Sequence, residues 1–82
     1  MKIATLKKLL EHGHEIEFDY KEKRYSFTFG ENEKGKIVIA FCEFYKDDIE
    51  SEDIDEILSS TYNGMKVADI IEELDEKEVD IF

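Results

Sequence analysis

The chain has 82 residues, enough for one domain with a single hydrophobic core and too few for two. Its hydrophobic content of 41% includes ten aromatic side chains, so the 40% of charged residues describe a folded protein's surface and exclude a disordered chain. No apolar run approaches the roughly 18–20 residues that a membrane-spanning helix needs, and the N-terminus lacks a secretory signal. Cys42, the single cysteine, cannot form an internal disulfide. We therefore expect a soluble cytoplasmic protein.

The net charge of −11 is concentrated in the second half of the chain. Residues 1–46 hold nine Lys or Arg and eight Asp or Glu, a net charge of +1, whereas residues 47–82 hold two and fourteen, a net charge of −12. Such acidity argues against direct binding of nucleic acid, because the phosphates would be repelled. It argues equally against an anionic membrane surface.

The chain begins with a segment over Lys2–His12 whose apolar residues recur at helical spacing. Gly13 can adopt the left-handed conformation that ends a helix, and His12 suits the negative end of the helix dipole. This predicts a short helix that depends on packing against the sheet, because its length is marginal in isolation.

The segment Glu15–Phe29 predicts a β-hairpin, because apolar side chains occupy every second position in both halves. The turn lacks Asn-Gly, which disfavours a two-residue turn and favours a four-residue loop over Lys21–Arg24. Tyr20 would then lie opposite Tyr25. The six residues that share one face are Ile16, Phe18, Tyr20, Tyr25, Phe27 and Phe29. We expect this face to be core and the opposite face to contact water.

Lys36–Cys42 predicts a third strand that is apolar on both faces. A simple meander would leave this strand at an edge of the sheet, where an apolar strand promotes aggregation. Glu78–Phe82 could pair with it as a fourth strand, or a C-terminal helix could cover its second face. The sequence favours the strand.

The acidic half predicts two short helices. Ser51 or Asp53 can cap a helix that runs to about Ser60. After a turn at Thr61–Gly64, the apolar spacing in Lys66–Glu76 predicts the last helix. The expected fold is a single α+β domain over residues 1–82, with an N-terminal helix on a three-stranded antiparallel sheet, followed by two short acidic helices.

Four short sequences carry a resemblance to known proteins. They are the hairpin segments EIEF-x-Y and YSF, the strand end FCEFY at Phe41–Tyr45, and NGMKVADIIEEL at Asn63–Leu74. Over most of the chain they resemble small uncharacterised proteins of Gram-positive bacteria and their phages. The order of helix, three strands and helices, at this size and acidity, is similar in layout to some small anti-CRISPR inhibitors that phages encode. Both resemblances imply a structural class, no activity and no binding residues.

Candidate chemistry is sparse along the chain. His12 and His14, with Cys42, are the one grouping that resembles a metal site, but their spacing matches no metal motif. The acidic run Asp47–Glu56 lacks the glycine and closing glutamate of a calcium-binding loop. There is no phosphate-binding loop and no nucleophile motif. We expect no metal, no cofactor and no enzymatic activity.

The acidic helices are the best candidate for a binding surface. On each helix the carboxylates should point away from the sheet once the apolar stripe is buried. The seven candidate partner-binding residues are Asp53, Asp55, Glu56, Asp69, Glu72, Glu73 and Glu76. They predict a non-catalytic inhibitor or adaptor, which in one version is a nucleic-acid mimic, that binds a basic protein surface as a monomer or weak homodimer.

An alternative gives the acidic residues no role beyond solubility. The protein would then be a small accessory or self-associating protein that binds through its aromatic surface or the edge of its sheet. Phe44 and Tyr45, just past the third strand, would be the aromatic anchor in that case.

Overall fold

The structure, a computed structural model, describes all residues from 1 to 82. It is an α+β fold, as predicted, with an N-terminal helix, an antiparallel sheet and further short helices. In chain order the elements are α1 (Ile3–Glu11), β1 (Ile16–Tyr20), β2 (Lys23–Glu31), β3 (Ile37–Glu43), β4 (Ile49–Ser51), α2 (Ile54–Ser59), β5 (Thr61–Tyr62), β6 (Met65–Lys66), α3 (Val67–Glu73), a 3₁₀ turn (Glu76–Glu78) and β7 (Asp80–Ile81).

The main sheet has five strands in the order β4-β3-β2-β1-β7, so the prediction of three strands was too small. A C-terminal strand does form within Glu78–Phe82, but it pairs with β1 at Ile16 and Glu17. The edge of β3 is instead paired with β4, which follows it closely in the chain. Each side of the meander is thus closed by a short strand, which limits the exposed apolar edge.

The hairpin turn differs from the expected four-residue loop. Lys21 and Glu22 form a two-residue turn with φ of 49° and 66°, the left-handed values of a primed turn. Phe18 therefore lies opposite Tyr25, and Tyr20 opposite Lys23. This register differs from the predicted one by two residues, and because side chains alternate with period two, the same residues still share one face.

One face of the sheet, here called the covered face, forms the hydrophobic core with the three helices. Phe18, Phe27 and Phe41 are fully buried, and the rings of Phe27 and Phe41 lie 4.7 Å apart. The helices and strands contribute to one cluster, whose other members include Leu6, Leu10, Ile16, Tyr25, Ile57, Leu58, Val67, Ile70 and Ile71. Of the six predicted core residues, four are buried, and Tyr20 and Phe29 are half-buried.

The helices are shorter than predicted. Gly13 ends α1 with φ of 81°, as expected, and Asp53 caps α2 by accepting a hydrogen bond from the backbone N–H of Asp55 at 2.9 Å. The last helix stops at Glu73, not Glu76, and the side chain of Asp75 accepts from the backbone N–H of Lys77 to begin a separate turn. Aspartate commonly competes with a helix in this way. None of the helices is both long and apolar enough to cross a membrane.

The other face of the sheet, here called the open face, carries no helix. Val38 and Ala40 point to this side and are buried, yet they are not part of the core cluster beneath the helices. The expectation that something would pair with β3 or cover it is met by pairing, because β4 lies beside β3 at its edge, although the strand is not the predicted Glu78–Phe82. No helix covers the second face of β3, in contrast to the alternative expectation.

Candidate interaction surfaces

All seven acidic residues predicted to bind a partner are exposed. Their contacts place them in three groups around the helical layer. Asp53, Asp55 and Glu56 lie at the start of α2. Asp69 and Glu73 lie on the side of α3 near Tyr20. The third group, Glu72 and Glu76, lines a shallow recess with the first three residues of the chain, Met1, Lys2 and Ile3.

The group at the start of α2 is largely engaged within the chain. The Asp55 carboxylate lies 2.7 Å from Nζ of Lys7 on α1, and this contact raises the pKa of Lys7. Glu56 accepts a hydrogen bond from the Ser51 hydroxyl at 2.9 Å, and Asp53 caps the helix. Negative side chains at the start of a helix also interact favourably with the positive end of the helix dipole. A local structural role therefore accounts for much of the acidity of this group.

The group on α3 is less engaged. The Tyr20 hydroxyl donates a hydrogen bond to Oε2 of Glu73 at 2.7 Å, and this bond raises the pKa of Tyr20 to about 12. Asp69, Glu72 and Glu76 form no ion pair and no side-chain hydrogen bond. Because α3 ends at Glu73, Glu72 and Glu76 are not one turn apart on a helix, although both reach the recess beside Lys2.

The two histidines and the cysteine do not come together. Nδ1 of His12 lies 2.9 Å from the carbonyl oxygen of Lys8, and Nδ1 of His14 lies 3.0 Å from that of Phe82. Cys42 is on the open face, where its sulfur lies 3.9 Å from the Ser26 hydroxyl. No group of three His, Cys, Asp or Glu side chains is arranged to hold a metal ion.

The open face carries a charge cluster that the sequence analysis did not identify. The Arg24 guanidinium bonds Asp19 at 3.3 Å, Glu17 at 3.2 Å and Asp80 at 2.5 Å. The bond to Asp80 is the main reason why the pKa of Arg24 is raised. The sequence analysis predicted a four-residue loop that included Arg24, whereas the observed turn has two residues and Arg24 belongs to β2. Its even spacing from Ser26 and Thr28 was the signal that could have revealed this position.

On the opposite side of the open face, Asp48 and Glu50 lie next to each other around β4. The Asp48 carboxylate raises the pKa of Glu50, because it can accept a hydrogen bond from the protonated Glu50 and repels the ionised one. Neither residue has a lysine or arginine partner. Glu52, which continues this row, lies 3.9 Å from Nζ of Lys36.

Phe44 and Tyr45 project from the end of β3. The Arg24 guanidinium carbon lies 5.7 Å from the Phe44 ring centre, which places Phe44 on the open face. Tyr45 is 100% exposed, with φ of 65°, and its ring meets the Phe44 ring edge-on at 6.0 Å. A bulky residue in the left-handed region is uncommon, and here no burial compensates for it.

Comparison with family models, with curated proteins and with solved structures finds no match to this chain.

Proposed function

We propose that this chain is a non-catalytic cytoplasmic inhibitor or adaptor whose carboxylates bind a basic surface of another protein. The observation that carries the proposal is the imbalance of charge. Six of the 22 acidic side chains form ion pairs with a lysine or arginine, so the remaining sixteen carboxylates lack such a partner. A basic surface would supply the missing counter-charges.

The carboxylates of α3 and of the 3₁₀ turn that follows it are the best candidates on the helical layer. Asp69, Glu72 and Glu76 are exposed and unpaired. Their charge would steer a basic partner and increase the rate of encounter, with strong dependence on salt. A partner that normally holds nucleic acid in a positively charged channel would be blocked, as expected of a nucleic-acid mimic.

The test is affinity capture at low salt from a nuclease-treated bacterial lysate, followed by a charge-reversal variant. Asp69→Lys with Glu73→Lys changes the charge of α3 by +4. The matched control is Glu22→Lys with Glu33→Lys, which makes the same change in two exposed turns away from the helices. We expect a captured protein that is lost with the α3 variant, kept with the control and displaced by double-stranded DNA.

Two results would count against this proposal. A partner that binds both variants equally, at low and at high salt, does not use the acidic helices. A partner that is weakened equally by both variants responds to net charge alone.

A second candidate function is favoured by the full exposure of Tyr45. Binding through the aromatic residues at the end of β3 would need no acidic helix, and Tyr45→Ala would abolish it. Pairing through the sheet edges has less support, because β4 and β7 offer three and two residues.

A further inference from the structure

We propose that the open face of the sheet is a docking site for a basic amphipathic helix of a partner protein. This face lies on the other side of the sheet from α2 and α3, so the proposal does not depend on the carboxylates of those helices.

The floor of this site is formed by β2 and β3, whose outward side chains are small beyond the end where Arg24 and Phe44 lie. The small residues are Ser26, Thr28 and Gly30 on β2 and Val38, Ala40 and Cys42 on β3. A Cβ added at Gly30 would lie 3.7 Å from Cγ2 of Val38, so the Val38 side chain leans over the glycine. The result is a low track along the middle of the sheet. Larger outward side chains stand on both sides of it.

Both sides of the track are acidic. Glu17, Asp19 and Asp80 stand on β1 and β7, and Asp48, Glu50 and Glu52 stand along β4. Arg24 pairs with the three carboxylates of β1 and β7, and Lys36 pairs with Glu52, whereas Asp48 and Glu50 have no cationic partner. Six carboxylates and two cations leave a net charge of −4. A ligand that lies on the track therefore meets negative charge on its left and on its right.

The dimensions suit an α-helix. Adjacent strands lie about 4.8 Å apart, so β1 and β4 are separated by roughly 14 Å, whereas a helix with its side chains is about 10–12 Å wide. The seven residues of β3 extend for about 24 Å, the length of a helix of roughly 15 residues. Ser26, Val38 and Ala40 are buried by their neighbours. Apolar side chains on one side of that helix would therefore contact Thr28, Gly30 and Cys42, the floor residues that are exposed or half-buried. Lysines or arginines on both flanks would reach the acidic rows.

The aromatic pair at the end of the track supplies an anchor. Tyr45 is fully exposed and lies beside Phe44, which itself contacts Arg24 on this face. Tyrosine is enriched among the residues that contribute most to binding energy, and its ring attracts cationic groups. A basic side chain near one end of the docked helix would lie over Tyr45.

Charge identifies the occupant. A second copy of this chain would place one face of net charge −4 against another, which costs free energy. Nucleic acid and anionic membrane are repelled for the same reason. A basic helix is attracted by both acidic rows at once.

The probe is a synthetic peptide of roughly 15 residues, with leucines along one side of the helix and lysines elsewhere. A scrambled peptide of equal composition controls for charge alone. Binding is measured by fluorescence anisotropy at low salt and again at physiological ionic strength, where the Debye length is about 8 Å. Backbone amide shifts in the nuclear magnetic resonance spectrum locate the contact. We expect binding by the amphipathic peptide, with the largest shifts in β2 and β3.

Two charge reversals separate this surface from the helices. Asp48→Lys with Glu50→Lys adds +4 on the open face, and Asp69→Lys with Glu73→Lys adds +4 on α3. We expect the first variant to weaken the peptide by tenfold or more, about 1.4 kcal/mol, and the second to have a much smaller effect. Tyr45→Ala, which removes no buried group, should also weaken binding.

Four results would overturn the proposal: no binding at low salt, equal binding of the scrambled peptide, equal losses in the two charge reversals, or shifts confined to the helical layer. If the shifts are confined to the helical layer and only the α3 variant loses peptide binding, the function proposed for the acidic helices is still supported. Loss in the open-face variant alone would support the open face as the docking site.

Discussion

On the covered face of the sheet, Phe18, Phe27 and Phe41 are fully buried beneath three helices, whereas on the open face Arg24 is bonded to three carboxylates and no element lies above it. The same strands build both faces, because consecutive side chains point in opposite directions. Packing and removal of apolar area from water hold the first face together. The second relies on small side chains and ion pairs, and no helix covers it.

The largest difference between the faces should appear in adjacent residues of β2. Phe27→Ala should lower the free energy of unfolding by roughly 3–5 kcal/mol, because it leaves a cavity beside Phe41. Thr28→Ala, one residue later on the open face, should lower it by less than about 1 kcal/mol. Urea denaturation followed by circular dichroism measures both. Equal losses would mean that the open face is also packed against something.

The covered face could be predicted from the sequence because its pattern survives errors of register. The predicted pairing was displaced by two residues, yet Phe18, Tyr25 and Phe27 still share the buried side. The Lys21–Glu22 turn could not be predicted, because neither residue is typical of left-handed turns. Asn63-Gly64, a typical pair for such a turn, was correctly placed in one.

The open face was harder to predict because its composition is ambiguous. Val38, Ala40 and Cys42 made β3 apolar on both faces, which indicated that something covers it. In the structure Val38 and Ala40 are buried by neighbouring side chains without a covering layer, and Cys42 is half-buried. The Arg24 cluster joins residues far apart in the chain, and its contact with Asp80 depends on where β7 pairs. Sequence spacing carries no signal for that pairing.

For the seven candidate acidic residues, the helical pattern predicted that their side chains are exposed. It did not predict the contact of Asp55 with Lys7 or that of Glu73 with Tyr20.

A second prediction concerns the ion pairs of the open face. Arg24→Gln should lower the free energy of unfolding by about 1 kcal/mol at low salt, since exposed ion pairs contribute little each and three are lost together. Added salt should reduce this loss but leave that of Phe27→Ala unchanged, because salt screens charges and not packing. Lys23→Gln is the control, as Lys23 makes one longer contact of 3.9 Å with Glu43. If the loss of unfolding free energy in Arg24→Gln does not change with salt, Arg24 stabilises the fold by packing against Phe44 and not through its ion pairs.

The smallest effect is expected at the border between the covered face and α3, where the Tyr20 hydroxyl donates to Glu73. This hydrogen bond raises the pKa of Tyr20 to about 12 in the folded protein, against about 10 for tyrosine in an unfolded chain. Folding therefore favours the protonated phenol. The resulting stabilisation is fully present below pH of about 10 and is lost as the pH rises through about 12.

Absorbance of the phenolate, titrated in the wild type and in Tyr20→Phe, isolates the ionisation of Tyr20 as a difference curve. Its midpoint should lie near 12 and should fall in Glu73→Gln, where the accepting group is neutral. Circular dichroism along the titration identifies the pH range in which the chain remains folded. A difference curve with the ordinary midpoint of tyrosine, in folded protein, would show that Glu73 does not accept this bond in solution. Glu73 would then join Asp69 and Glu72 as a carboxylate available to a partner, because no bond within the chain would hold it against β1.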